Sequence, residues 1–168
     1  LKHQKPKTYQ PMIKIITIRL IALVGFLIFS ESIARAEYKE PPEICPQERK
    51  TNKAPNNFLN KKNPLRGEPR NIKKGKVLAQ IKAKPLACKH CHGMLGNGQG
   101  SMASSMKIKP RNFTCKQTMK SISDGQLFWI IKNGSKGSTM PAYSYLSDKK
   151  IWQLIHYIRS LSKMDAWA

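Results

Sequence analysis

Residues 71–163 predict a small all-α domain of three to five helices. Apolar residues recur at helical spacing in three segments, helix-start and helix-stop residues bracket those segments, and no stretch alternates apolar and polar with period two. The full chain has 168 residues, enough for one domain with extensions.

Asn71 stands where a cap would open the first helix, which the pattern carries to about Lys84. Ile72, Val77, Leu78 and Ile81 form its apolar side, Gly75 leaves room for a close helix contact, and Pro85 ends it. Residues 93–112 hold Gly93, Gly96, Gly98, Gly100 and Pro110, which is loop chemistry. Ser123-Asp124-Gly125-Gln126 resembles a capping box. The helix it opens carries Leu127, Ile130 and Ile131 on one side and stops at Asn133-Gly134. Ser147-Asp148 starts the last helix, where Ile151, Leu154, Ile155 and Ile158 make the clearest amphipathic stripe, flanked by Trp152 and Tyr157. A domain this small has a marginal apolar core, and a large buried cofactor would add to it.

The N-terminal third reads as targeting and tether. From Met12, a plausible initiator, Lys14 and Arg19 precede an apolar run from Leu20 to Phe29, and Ala34-Arg35-Ala36 offers a cleavage site before Glu37. Residues 1–36 are therefore expected to be a secretory signal that sends the chain to the periplasm. An uncleaved signal would leave it membrane-anchored, but the apolar run is short for a span of about twenty residues. Residues 37–70 are rich in Pro, Asn, Lys and Glu and read as a basic arm or linker. Residues 164–168 are a short tail. Pro41-Pro42-Glu43-Ile44 before Cys45 is not a small-residue lipobox.

Lys and Arg total 31 against 9 Asp and Glu, a net charge of +22. Without residues 1–36 the balance is 25 against 8, or +17, so the charge is not an artefact of the signal peptide. Such charge suits an anionic partner. Nucleic acid is disfavoured, because the basic residues scatter and no nucleic-acid-binding motif is present.

Cys88-Lys89-His90-Cys91-His92 is a Cys-x-x-Cys-His motif, the spacing of c-type haem attachment. Two thiols bond the porphyrin edge and the adjacent His92 reaches the iron from one face. A thioredoxin-like pair would need a neighbouring strand pattern, and zinc would need a second ligand pair at a fitting distance. The sequence has neither.

In the same order along the chain, further segments resemble a class I monohaem cytochrome c of the bacterial kind. Asn71 to Lys76 resembles that family's opening helix. Gly96-Asn97-Gly98-Gln99-Gly100 resembles its glycine loop and Pro110-Arg111-Asn112-Phe113 part of its middle loop. Asp124 to Gly134 resembles its middle helix, Met140-Pro141-Ala142 the segment of the second iron ligand, and Leu146 through Leu161 its closing helix. The resemblance implies one covalent haem c inside the helices, with His92 and Met140 as the metal ligands. Two features depart from the pattern. Ser101 stands where the family often has the Pro whose carbonyl holds the proximal His ring, so the Ser101 carbonyl is expected in that role. The stretch from Gly75 to Cys88 is also longer, with Lys84-Pro85-Leu86-Ala87 interposed.

Other residues compete for the sixth position: Cys115, Met94, Met102, Met106, Met119 and His156. His156 lies beside the closing stripe, His90 fills a variable place in the motif, and His3 precedes the signal. Exported cysteines tend to pair, and Cys45 is the partner left for Cys115 once haem is attached. Ligation by Cys115 would instead lower the potential and favour gas binding or sensing.

The expected function is outer-sphere electron transfer rather than catalysis, since no substrate pocket or acid–base pair is visible. The expected partners are acidic redox proteins or membrane oxidoreductases, steered by Lys73, Lys74, Lys76, Lys82, Lys84, Lys89, Lys107, Lys109 and Arg111. The alternative is a fixed haem subunit of a larger oxidoreductase, docked through the arm.

Overall fold

Pro69, not Asn71, opens the first long helix. The computed structural model describes residues 45–48 and 51–163. The predicted signal at 1–36, the segments 37–44 and 49–50 of the arm, and the tail at 164–168 lie outside them. The helices are α1 (Asn56–Leu59), α2 (Pro69–Val77), α3 (Lys89–His92), α4 (Lys116–Lys120), α5 (Asp124–Asn133) and α6 (Asp148–Leu161). Among the described residues there is no strand, and no helix is long and apolar enough to cross a membrane.

In α2, Glu68 takes the cap and Pro69 the first turn, where its missing N–H costs nothing. Asn71 has a different task. Its side chain donates to the Arg66 carbonyl and accepts from Gln153 on α6. Gly75 sits against the backbone of Gln153 and the Cβ of Tyr157, leaving no space for a side chain, so the two helices approach closely there.

The longer spacing before Cys88 is taken up at the end of α2. Leu78–Lys82 form a π-helical turn, closed by the Ala83 N–H on the Leu78 carbonyl at 3.0 Å. Such a turn holds one residue more than an α-turn and rotates the succeeding residues about the helix axis. Leu78 and Ala79 stay in the core, whereas Ile81, expected on the apolar side, is 67% exposed.

The closing helix keeps its predicted stripe. Ile151, Leu154, Ile155, Ile158 and Leu161 are buried, and Trp152 packs on Phe128 of α5 with ring centroids 4.4 Å apart. Each fully buried side chain of this size contributes about 1.5–3 kcal/mol. Arg159 on α6 ties the layers together, pairing with Asp124 at 2.8 Å and donating to the Met119 carbonyl at 2.7 Å.

The capping box is half made. Ser123 Oγ accepts from the Gln126 N–H, as its position predicts. The Gln126 side chain does not close the box. It accepts from the Ala54 N–H and donates to the Asn52 carbonyl, holding the arm. Further along the arm, Phe58 stacks on Phe128, its carbonyl occupies the space left by Gly125, and Asn63 donates to the Trp152 carbonyl. A Cys45–Cys115 disulfide with a Cα–Cα distance of 5.6 Å fastens the arm's earlier part to the start of α4. The described arm therefore belongs to the same compact unit as the helices.

Candidate functional site

One helical turn carries the whole Cys-x-x-Cys-His motif. With Cys88 as its cap, α3 places Cys91 and His92 three and four residues on, and side chains at those offsets share a face. The His92 N–H closes the turn on the Cys88 carbonyl at 2.8 Å, and Gly93, at φ +82°, ends it. Cys88 and Cys91 are both free thiols, not joined to each other. Burial pushes the Cys88 thiol up to about 11, and burial raises Cys91 as well.

The His92 ring is fixed on two sides. It stacks on Phe113 with centroids 4.4 Å apart and planes 16° from parallel. Its Nδ1 lies 2.9 Å from the Arg111 carbonyl. A carbonyl only accepts, so Nδ1 carries the proton and Nε2 keeps the lone pair a metal requires. Desolvation pushes the pKa of the imidazole below its ordinary value, which keeps the ring neutral.

The carbonyl on His92, expected from Ser101, comes from Arg111. The Gly100 and Met102 N–H groups bond the carbonyls of Cys91 and His90, so this stretch runs along the back of α3 and Ser101 stays exposed. The middle loop passes in front instead, because the Gly96 carbonyl accepts from the Phe113 N–H at 2.7 Å. Gly98, at φ +81°, leaves space beside it for the Pro110 carbonyl.

Met140 lies in the loop between α5 and α6. Its N–H donates to Ser138 Oγ and its carbonyl accepts from the Ser135 N–H, both at 3.2 Å. Three residues on, the Tyr143 N–H returns to the Ile131 carbonyl at 2.9 Å.

Cys88, Cys91, His92 and Met140 all line one cavity of about 570 Å³, within the range of roughly 300–1,000 Å³ usual for cofactor sites. Phe113, Leu127, Ile130, Ile131 and Ile158 give it apolar walls. Ser135 also lines it, and its buried Oγ has no hydrogen-bond partner. An apolar slot with two thiols, a neutral imidazole, a thioether and a spare hydroxyl fits a haem. The macrocycle is apolar, its iron takes nitrogen and sulfur, and its carboxylate side chains accept from a hydroxyl.

The competing residues separate clearly. Cys115 is committed to the disulfide. Met94 and Met102 are exposed and Met119 is fully buried in the core. His156 bonds the Leu65 carbonyl through Nε2 at 2.9 Å. Only Met106 shares the cavity wall with Met140. Lys107, Lys109 and Arg111 line the same cavity, and Lys109 also donates to the Ala103 and Ser104 carbonyls. Sequence reasoning misses Gln47, Ser135 and the Arg111 carbonyl. Their types are unremarkable, and only Pro110-Arg111-Asn112-Phe113 carries a signal, as a match to the family's middle loop.

The fold and this site define a haem-bearing electron-transfer domain. The chain belongs to the cytochrome c family, whose model matches residues 72–162. Membership implies covalently bound haem c with its iron. Among solved structures, a chain of the Kuenenia stuttgartiensis reducing HAO-like protein complex is similar, at 35% identity and a TM-score of 0.52. The alignment covers 58% of this chain and 46% of that one, so the present chain spans less than half of the neighbour's length. No curated protein matches the sequence.

Proposed function

We propose that the protein is an exported, periplasmic one-electron carrier holding a single haem c, with Cys88 and Cys91 as its thioether attachments and His92 and Met140 as its iron ligands. The observation that carries this reading is the His92 tautomer. Arg111 holds Nδ1–H, which leaves Nε2 to serve the cavity that Met140 also lines. When bound, the haem supplies a ferric/ferrous couple, and His/Met ligation sets it at a raised potential. The residues around it position and exclude. Phe113 and the Arg111 carbonyl fix the imidazole plane, the Ser135–Met140 and Ser138–Met140 bonds fix the thioether's backbone, and the apolar walls keep water away. Held by both His92 and Met140, the iron would have no position left for a substrate, and the protein would carry electrons rather than catalyse a reaction.

The partner is an acidic redox protein or membrane oxidoreductase. Lys107, Lys109 and Arg111 at the cavity and the exposed Lys82 and Lys84 near the attachment turn give a positive approach. A second reading, a fixed haem subunit, is favoured by one observation: the similar structure is itself part of a protein complex.

Absorption spectra of the purified holoprotein, oxidised and reduced, test the first reading. The weak far-red ferric band of an iron–methionine bond is expected. Its absence, with ready CO binding by the reduced protein, rejects His92/Met140 ligation. Gel filtration separates carrier from subunit: a monomer favours the carrier, co-purification with a larger oxidoreductase the subunit.

A further inference from the structure

Gln47 lies in the arm, two residues after the disulfide at Cys45, yet its hydrogen bonds converge on the loop beside His92. Its side-chain Nε2 donates to the Pro110 carbonyl at 3.1 Å, and its Oε1 accepts from the Asn112 N–H at 2.7 Å. Its backbone carbonyl accepts from the Arg111 guanidinium at 3.2 Å, and its N–H donates to Thr118 Oγ1 at 3.0 Å. The side-chain amide thus bridges the two peptide groups on either side of Arg111, as a neighbouring strand would. The carbonyl between them is the one that bonds His92 Nδ1.

We propose that Gln47 is a positioning residue for the iron ligand. By holding Pro110 and Asn112, it aims the Arg111 carbonyl at His92 and so sets how strongly that hydrogen bond is made. The inference rests on His92 being the proximal ligand, as proposed above. Three features concentrate the effect. Asn112 is fully buried, so its N–H has little access to water if Gln47 leaves. The disulfide limits how far Gln47 can drift. On the other flank, Gly98 lies against the same carbonyl of Pro110, so the triplet is held between the glycine loop and the arm.

The bond matters electronically. A carbonyl that accepts strongly from Nδ1–H makes the imidazole a better donor at Nε2, which favours the ferric state. Without Gln47 the bond weakens and the reduction potential moves positive.

The test compares wild-type holoprotein with Gln47→Ala, Gln47→Glu and Asn63→Ala. Two quantities are read: hydrogen exchange of the His92 Nδ1 proton, by NMR with labelled histidine, and the reduction potential. Gln47→Ala should speed the exchange about tenfold, the scale of one lost hydrogen bond, and raise the potential. Gln47→Glu keeps an oxygen for Asn112 and loses the donor to Pro110, so it should speed the exchange by less; its added negative charge lowers the potential by itself, so this variant is read by exchange. It also serves if Gln47→Ala does not fold. Asn63→Ala removes an arm contact to Trp152 away from His92 and should leave both unchanged. Unchanged exchange in the Gln47 variants, or an unchanged potential in Gln47→Ala, overturns the proposal, as does an equal shift in Asn63→Ala. A wild-type protein matured without covalent haem, seen by mass, refutes the electron-carrier reading itself and this assignment with it.

Discussion

The Tyr143 hydroxyl donates to the carbonyl of Leu86 at 2.7 Å, joining the Met140 loop to the segment just before Cys88. The two sides of the haem slot are thereby referenced to each other by one bond between residues far apart in sequence. Tyr143→Phe keeps the ring and removes the bond. It should lower stability by about 0.5–1.5 kcal/mol, read as the thermal midpoint of the holoprotein. An unchanged midpoint would mean that the loop's other bonds, Tyr143 to Ile131 and Met140 to Ser135 and Ser138, hold it without the hydroxyl.

Met140 and Met106 both line the cavity, and their variants should differ. Met140→Ala should lose the far-red ferric band and let the reduced form bind CO, while Met106→Ala should keep the band and exclude CO. The reverse pattern would transfer the axial role to Met106. Met140→His should keep a filled iron at a lower potential.

Ser135 offers a hydroxyl with no partner in the protein, which costs about 1–3 kcal/mol when buried and left unsatisfied. A haem carboxylate would satisfy it. Ser135→Ala should then destabilise the holoprotein in a denaturant titration. A more stable variant would show that the hydroxyl stays unpartnered with haem in place.

The Cys45–Cys115 bond closes a loop across a sequence separation of 70. Replacing both cysteines with serine should cost about 2–4 kcal/mol, seen in the denaturant midpoint. A cost near zero would mean that Gln126, Phe58 and Asn63 hold the arm without it.

Burial raises the pKa of Tyr157 above its ordinary 10.0, against a hydrogen bond with Gln80 that lowers it. A folded pKa above the unfolded one favours the protonated form. The associated stability is fully present below pH 10 and is lost as pH rises through the folded value. Thermal midpoints measured upward from pH 9 should fall, and Tyr157→Phe should flatten the fall. An equal slope in the variant would assign the loss to other groups.

Much of this is legible in the sequence because its signals are local. The thiols and imidazole share one turn, so five residues suffice to mark them. The stripe of α6 and the Ser123 cap need only a few more. The illegible features depend on distant partners. Asn71 has the right type for a cap, but Pro69 two residues earlier takes the helix start and Asn71 bonds Gln153. Ile81 fits the helical period until the π-turn shifts it by a residue. The arm lacks the apolar content to fold alone, yet Gln126, Phe128 and Cys115 supply its partners. The carbonyl on His92 is hard to assign from sequence, since backbone groups carry no residue signature: Pro110-Arg111-Asn112-Phe113 marks the middle loop, but only the path of that loop selects Arg111 over Ser101.

The burial of Cys88 has a consequence for how the chain matures. Four cysteines admit three pairings, and this chain needs one pair oxidised while the other stays reduced in the oxidising compartment proposed for it. Thiol–disulfide exchange requires a thiolate. With its pKa at about 11, Cys88 is almost wholly protonated near neutral pH and is a poor attacker of the Cys45–Cys115 bond. Burial raises Cys91 in the same direction, so both free thiols are weakened as attackers of the cross-link, and in the haem-free chain disulfide mapping is expected to find Cys45 with Cys115.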